Sequence, residues 1–127
     1  MSTRVILVGH CSPDSSYLAI AVKAVKPDAV IERAMDDVAL LAYLEKGASL
    51  LLINRVLDGE YSHSDGVELL AACRKSHPDV PAMLISNYPE AQTRAVAAGA
   101  VPGFGKSQVT SVKSREMLAS ALGNYKL

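Results

Sequence analysis

Cysteine is scarce in this chain: Cys11 and Cys73 are the only two in 127 residues, and they form neither a disulfide framework nor a zinc-type spacing. Free thiols in a reducing cytoplasm are the expected state. Charge of one sign is missing as well, since 13 Lys and Arg balance 13 Asp and Glu for a formal net charge of zero. That balance supplies no electrostatic footprint for nucleic acid or for an anionic membrane surface. No apolar run approaches the length of a membrane span, and the opening MSTRVILVGH lacks the long apolar segment of a signal peptide. No internal repeat or low-complexity segment is visible. What remains is an ordinary globular composition, 50% hydrophobic, and a length that suits one domain spanning 1–127.

Short apolar runs alternate with helical patterns along that length. Arg4–Gly9 and Leu50–Asn54 read as strands buried on both faces, the pattern of a parallel sheet. Ala29–Arg33 and Ala82–Ser86 are two more strands, and a weak fifth lies near Pro102–Gly105. Between them, Pro13 and Asp14 open a helix whose Leu18, Ala21, Val22 and Val25 fall on one face. Asp36 and Asp37 can cap a second helix, whose apolar stripe is expected at Val38, Leu41 and Leu44, with Gly47 as its stop. Asp65 with Glu68 resembles a capping box and launches Val67–Ser76, where Cys73, one turn from Leu70, is expected in the core. Pro89 suits the first turn of a helix over Glu90–Ala98, and Met117, Leu118, Ala121 and Leu122 mark the last one. Five strands alternating with five helices imply an α/β fold, a doubly wound five-stranded parallel sheet with helices on both faces.

In such sheets, ligands and chemistry collect at the carboxyl ends of the strands. Asn54 occupies one of those ends, and a neutral amide there neither attacks phosphorus nor holds a divalent cation well.

The residues at these strand ends resemble the receiver domains of bacterial two-component response regulators, over almost the full length of the chain. Gly99–Lys106, GAVPGFGK, is similar to the family's signature at the end of the fifth strand, with Lys106 as its lysine. Leu84-Ile85-Ser86 resembles the fourth strand, which ends in Ser or Thr, and Asp65–Leu70 the Asp-Gly segment that opens the third helix. Leu52–Leu57 resembles the phosphorylation-site segment, with Asn54 in the place of the acceptor aspartate. The resemblance implies a flavodoxin-like (βα)5 fold. In that family an aspartate becomes an acyl phosphate, two acidic residues after the first strand hold Mg²⁺, and a lysine and a hydroxyl bind the phosphoryl group.

Measured against that set, this sequence is a degenerate receiver. Gly9-His10-Cys11 ends the first strand without a carboxylate, in either of two registers one residue apart. Gly103 stands where the switch aromatic belongs, with Phe104 one position late, and Ser107 replaces the usual proline, so a trans bond is expected there. The loop after Asn54, RVLDGEYSHSDG, is also several residues longer than usual. The resemblance therefore implies a remnant pocket of His10, Cys11, Asn54, Ser86 and Lys106, with no catalytic residue, no metal and no cofactor. Lys106 is expected to bond the Asn54 carbonyl oxygen and Ser86 the backbone; binding of an anion by these two is the competing reading.

Other readings of single residues stay open at this point. Asn54 can imitate the acceptor's hydrogen bonding or merely satisfy nearby backbone. Asp58 is a conceivable alternative acceptor, but it lies beyond the buried strand end and has no evident cation site. His10, Cys11 and His63 can be metal or redox groups, although neighbours in an extended segment point to opposite sides. Asp14 and Asp65 have simple roles at helix starts, and Glu60 belongs to the solvated surface. Tyr61, Tyr88 and Pro89 can anchor a partner or pack their own loops.

The function expected from this reading is non-enzymatic signalling in the cytoplasm through phosphorylation-independent protein contact. The partner is another protein or a second copy, docked on the fourth helix, fifth strand and fifth helix, roughly Glu90–Leu122, where Ala91, Ala95 and Ala98 would permit close approach. With no output segment after Leu127, any effect is expected to act through such a partner, a self-dimer or a missing segment. The alternative is a small-ligand, anion or metal/redox sensor that uses the vacated pocket. An enzyme with relocated residues is weaker still, because no nucleophile–base pair or phosphate-cradling glycine loop is visible.

Overall fold

The computed structural model describes residues 3–123. Five strands, β1 (Arg4–Val8), β2 (Val30–Ala34), β3 (Leu50–Asn54), β4 (Ala82–Ile85) and β5 (Val101–Phe104), form one parallel sheet in the order β2-β1-β3-β4-β5. Five helices connect them: α1 (Ser12–Val25), α2 (Asp37–Lys46), α3 (Gly66–Ser76), α4 (Pro89–Ala97) and α5 (Val112–Ala121). The expected β3 is met residue for residue, and the other strands are met within a residue or two.

All five residues of β3 are buried, because helices cover both of its faces. Ile6, Leu51, Ile53 and Leu84 point toward α2, α3 and α4, while Val5, Leu7, Leu52 and Met83 point toward α1 and α5. Phe104, set aside above as one position late, packs in the second of these layers. Cys73 is buried in the first. The chain reverses its direction of travel across the sheet between β1 and β3, so the crevice of this fold lies where those two strands end.

Two expectations about helix faces need correction. In α2 the buried residues are Leu40 and Leu44, whereas Val38 and Leu41 are 80% and 49% exposed. The Asp36 carboxylate caps the helix by accepting from the Ala39 amide, and the way α2 lies over the sheet turns Leu40 and Leu44 inward and Val38 outward. In α4, Ala91 and Ala95 are buried against the sheet and so cannot offer close approach to a partner.

The long segment between β3 and α3 is an ordered strap across the ends of β1 and β2. The Asp58 amide donates to the Gly9 carbonyl at 2.9 Å, and the Glu60 amide donates to Met35 at 2.8 Å, forming a parallel bridge with Asp36. The Tyr61 hydroxyl donates to the Ala34 carbonyl at 2.6 Å and the Ser62 amide to Asp37 at 2.8 Å. Tyr61 thus packs its own loop instead of projecting as an anchor. Burial, then the nearby Asp36 and Asp37 carboxylates, push its phenol above the usual range. At the far end of the strap the chain enters α3 through Gly66, where a Cβ would lie 1.9 Å from the Asn54 carbonyl oxygen. Only glycine fits so close an approach.

Candidate functional site at the carboxyl ends of β1, β3 and β4

Asn54 ends β3 and is 7% exposed, and its side-chain amide nitrogen donates to the Gly9 carbonyl at 2.9 Å. Gly9 follows β1, so this one bond ties the two strand ends together across the crevice. The same carbonyl accepts from the Asp58 amide, which fills both of its lone-pair directions. The amide therefore has a defined structural partner.

Lys106 does not bond Asn54, contrary to expectation. Its ammonium pairs with the Asp14 carboxylate at 2.7 Å. An amide oxygen competes poorly with an anion for an ammonium, and the first turn of α1 holds Asp14 within reach. Asp14 is accordingly more than a helix-start residue: the bond from Lys106, then one from Cys11, draws its pKa down, while partial burial opposes the shift. The segment after β1 thus contributes a carboxylate after all, one that is spent on the lysine.

His10 is fully buried and turns away from Asn54. Its Nε2 donates to the Leu52 carbonyl at 2.8 Å, which fixes the proton on that nitrogen and leaves Nδ1 without a partner. Burial, partly opposed by the bond to Leu52, pushes its pKa down to about 4, with the charge of Lys106 acting in the same direction as burial. The imidazole is neutral and bonded into the sheet, so it offers no base to Ser86. Cys11 is half-buried at the N-cap of α1.

Ser86 meets the backbone as expected: its hydroxyl accepts from the Tyr88 amide at 3.1 Å. Asn54, Ser86 and Lys106 line one cavity of about 140 Å³, and His10 and Cys11 do not. Five further residues line it that lie outside the expected pocket: Arg55, Val56, Ile85, Asn87 and Tyr88. The Arg55 guanidinium sits 4.8 Å from the centre of the Tyr88 ring, and the side-chain Oδ1 of Asn87 accepts from both the amide and the hydroxyl of Ser107. Position in the chain, directly after strand ends, was the available signal for Arg55 and Asn87. The Arg55–Tyr88 stack had no signal, since it joins two separate loops.

Gly103 lies against the end of β4, with a built Cβ only 2.1 Å from the Leu84 carbonyl oxygen and 3.0 Å from Oε1 of Gln92. No side chain fits there while β5 keeps this path. All described peptide bonds are trans, including that between Lys106 and Ser107. Among the described residues, no three His, Cys, Asp or Glu side chains converge as a metal site would require, and no helix is long and apolar enough to cross a membrane.

No protein-family model matches the chain, and no curated protein does. Solved structures do. The signal receiver domain of a DNA-binding response regulator from Colwellia psychrerythraea 34H is 16% identical with a TM-score of 0.73, covering 97% of this chain and 99% of that one. A response regulator from Thermotoga maritima matches at 17% identity and TM-score 0.73, with the same two coverages. The orphan response regulator HP1043 of H. pylori matches at 13% identity and TM-score 0.64, covering 90% of this chain and 96% of that one. At such identities the likeness is one of fold: the chain has the five-stranded fold of response-regulator receiver domains.

Proposed function

We propose that the chain is a signalling module of the receiver type that works through contact with a protein and without phosphoryl transfer. The observation that carries this reading is the bonding of Asn54. Its amide donates to the Gly9 carbonyl in the crevice where a receiver needs a nucleophilic carboxylate. Lys106 is engaged by Asp14 in the same crevice, so the cation that would meet a phosphoryl group already has its anion. The strap and the buried amide hold this end of the sheet as scaffold.

The contact face is that of α4, β5 and α5. Val96 is 46% exposed on α4 beside Pro102, in a groove of about 330 Å³. A second groove of about 430 Å³ runs between β5 and α5, lined by Val101, Pro102, Lys113 and Met117 among others. Apolar floors with polar rims, charged in the second groove at Lys113 and Glu116, suit a protein partner or a second copy of the chain.

Titration of labelled protein with Mg²⁺ and beryllofluoride, followed by NMR, tests the loss of phosphoryl chemistry. The native chain is expected to give no saturable shifts around Asn54. Asn54→Asp alone is expected to give none either, because the new carboxylate faces the Gly9 carbonyl and gains no acidic partners. Saturable shifts centred on residue 54 of the native chain would end this reading. A second reading, capture of a small anion, draws support from Arg55 and Lys106 lining the same cavity. A thermal-shift series with inorganic anions separates the two, since only the second expects a saturable rise in Tm.

A further inference from the structure

Gln92 joins α4 to the end of β4. It sits on the first full turn of α4, and its side-chain nitrogen donates to two carbonyls at the end of β4, Leu84 at 2.9 Å and Ser86 at 3.1 Å. The pairing of β5 with β4 is irregular here, with Met83 opposite Val101 and Ile85 opposite Phe104. Two residues, Pro102 and Gly103, therefore oppose Leu84 alone, and Gly103 closes onto the carbonyl that Gln92 grips. Met83 Cγ and the Oε1 of Gln92 fill the room beside Gly103, and that oxygen is buried without a donor of its own. An unsatisfied buried acceptor costs free energy, so the arrangement persists only because the two bonds from the nitrogen and the packing outweigh that cost.

We infer that Gln92 clamps α4 to the end of β4 and holds the α4–β5–α5 face in one conformation. The space that a moving side chain at position 103 would need is taken by the Leu84 carbonyl and by Gln92. Movement of α4 away from the sheet breaks both amide bonds and exposes the buried Ala91 and Ala95. The face is thus a constant surface, and Gln92 is its positioning residue. This deepens the contact reading above and rests on it only for the purpose that the fixed face serves.

Amide hydrogen exchange on the full chain tests the clamp, with Gln92→Met as the variant. Methionine has nearly the same length and helix propensity and removes only the hydrogen-bonding amide. The amides of Ala91, Ala95 and Val96 are expected to exchange about tenfold to thirtyfold faster in the variant, while those of Leu18 and Leu118 on the other face keep their rates. Thr93→Ala, on the same helix turn but outside the clamp, is expected to leave α4 unchanged. Unaltered exchange in α4 of Gln92→Met would overturn the inference. Equal acceleration in every element would overturn it as well, because Gln92 would then support the whole fold and not this face. The beryllofluoride titration reads Asn54 and not Gln92, so either result can fail while the other stands.

Discussion

Acidifying the protein forces a proton toward a histidine that the fold keeps neutral, and the cost can be worked out. His10 has no exposed surface, donates from Nε2 to Leu52 and presents a bare Nδ1 to a site that holds no acceptor for a second N–H. Its pKa falls from 6.5 to about 4, chiefly because burial penalises the cation. The folded value lies below the unfolded one, so between them the unfolded chain binds more protons and stability falls as the pH falls. The loss from this group begins near the unfolded pKa and grows to about 2 kcal/mol by about pH 5 and about 3 kcal/mol by about pH 4. Asp14, drawn down by Lys106, adds to acid sensitivity at lower pH, so the histidine must be isolated by substitution. His10→Gln keeps a nitrogen donor for the Leu52 carbonyl and does not titrate. Urea unfolding of both proteins across this range should show the native chain losing about 2 kcal/mol more than the variant on going from about pH 7 to about pH 5. The imidazole resonances of His10 should stay in their neutral position until well below pH 6. Parallel stability curves for the two proteins, or a His10 titration near its ordinary value, would refute the reasoning.

Two further perturbations separate tight packing from surface charge. Gly66→Ala places a methyl group where only 1.9 Å separates it from the Asn54 carbonyl oxygen, so the strap must shift. A loss of about 2 kcal/mol or more is expected in thermal or urea unfolding, and a neutral result would mean that the entry to α3 is looser than described. Lys106→Met removes the pair with Asp14, but the lysine side chain is 37% exposed and solvent screens the interaction. The expected change at about pH 7 is under about 1 kcal/mol, and it should shrink further in high salt.

Much of this fold can be read from the chain. β3 is a run of Leu50, Leu51, Leu52 and Ile53, and an uninterrupted apolar run between polar neighbours has few options besides a strand covered on both faces. Alternation of such runs with helical patterns and caps then dictates a parallel sheet, and Asp36 and Asp65 do cap the helices that follow them. The neutral amide at the end of β3 was legible for the same reason, because strand ends are fixed by local pattern. Where local pattern is ambiguous, the chain misleads. Val38, Leu41 and Leu44 share a plausible stripe, yet only the position of α2 over the sheet decides that Leu40 and Leu44 go inside.

What the sequence determined by itself is the α/β order, the β3 strand and the neutral amide at residue 54, all of which depend on residues close together in the chain. Only the tertiary structure decided where the polar side chains at the strand ends spend their bonds. Lys106 is 92 positions from Asp14, Gln92 reaches back to Leu84 and Ser86, and Arg55 meets Tyr88 from another loop. Side-chain bonds of that kind depend on distances of a few ångströms between separate elements, and spacing along a chain does not encode such distances until the sheet has brought the elements together.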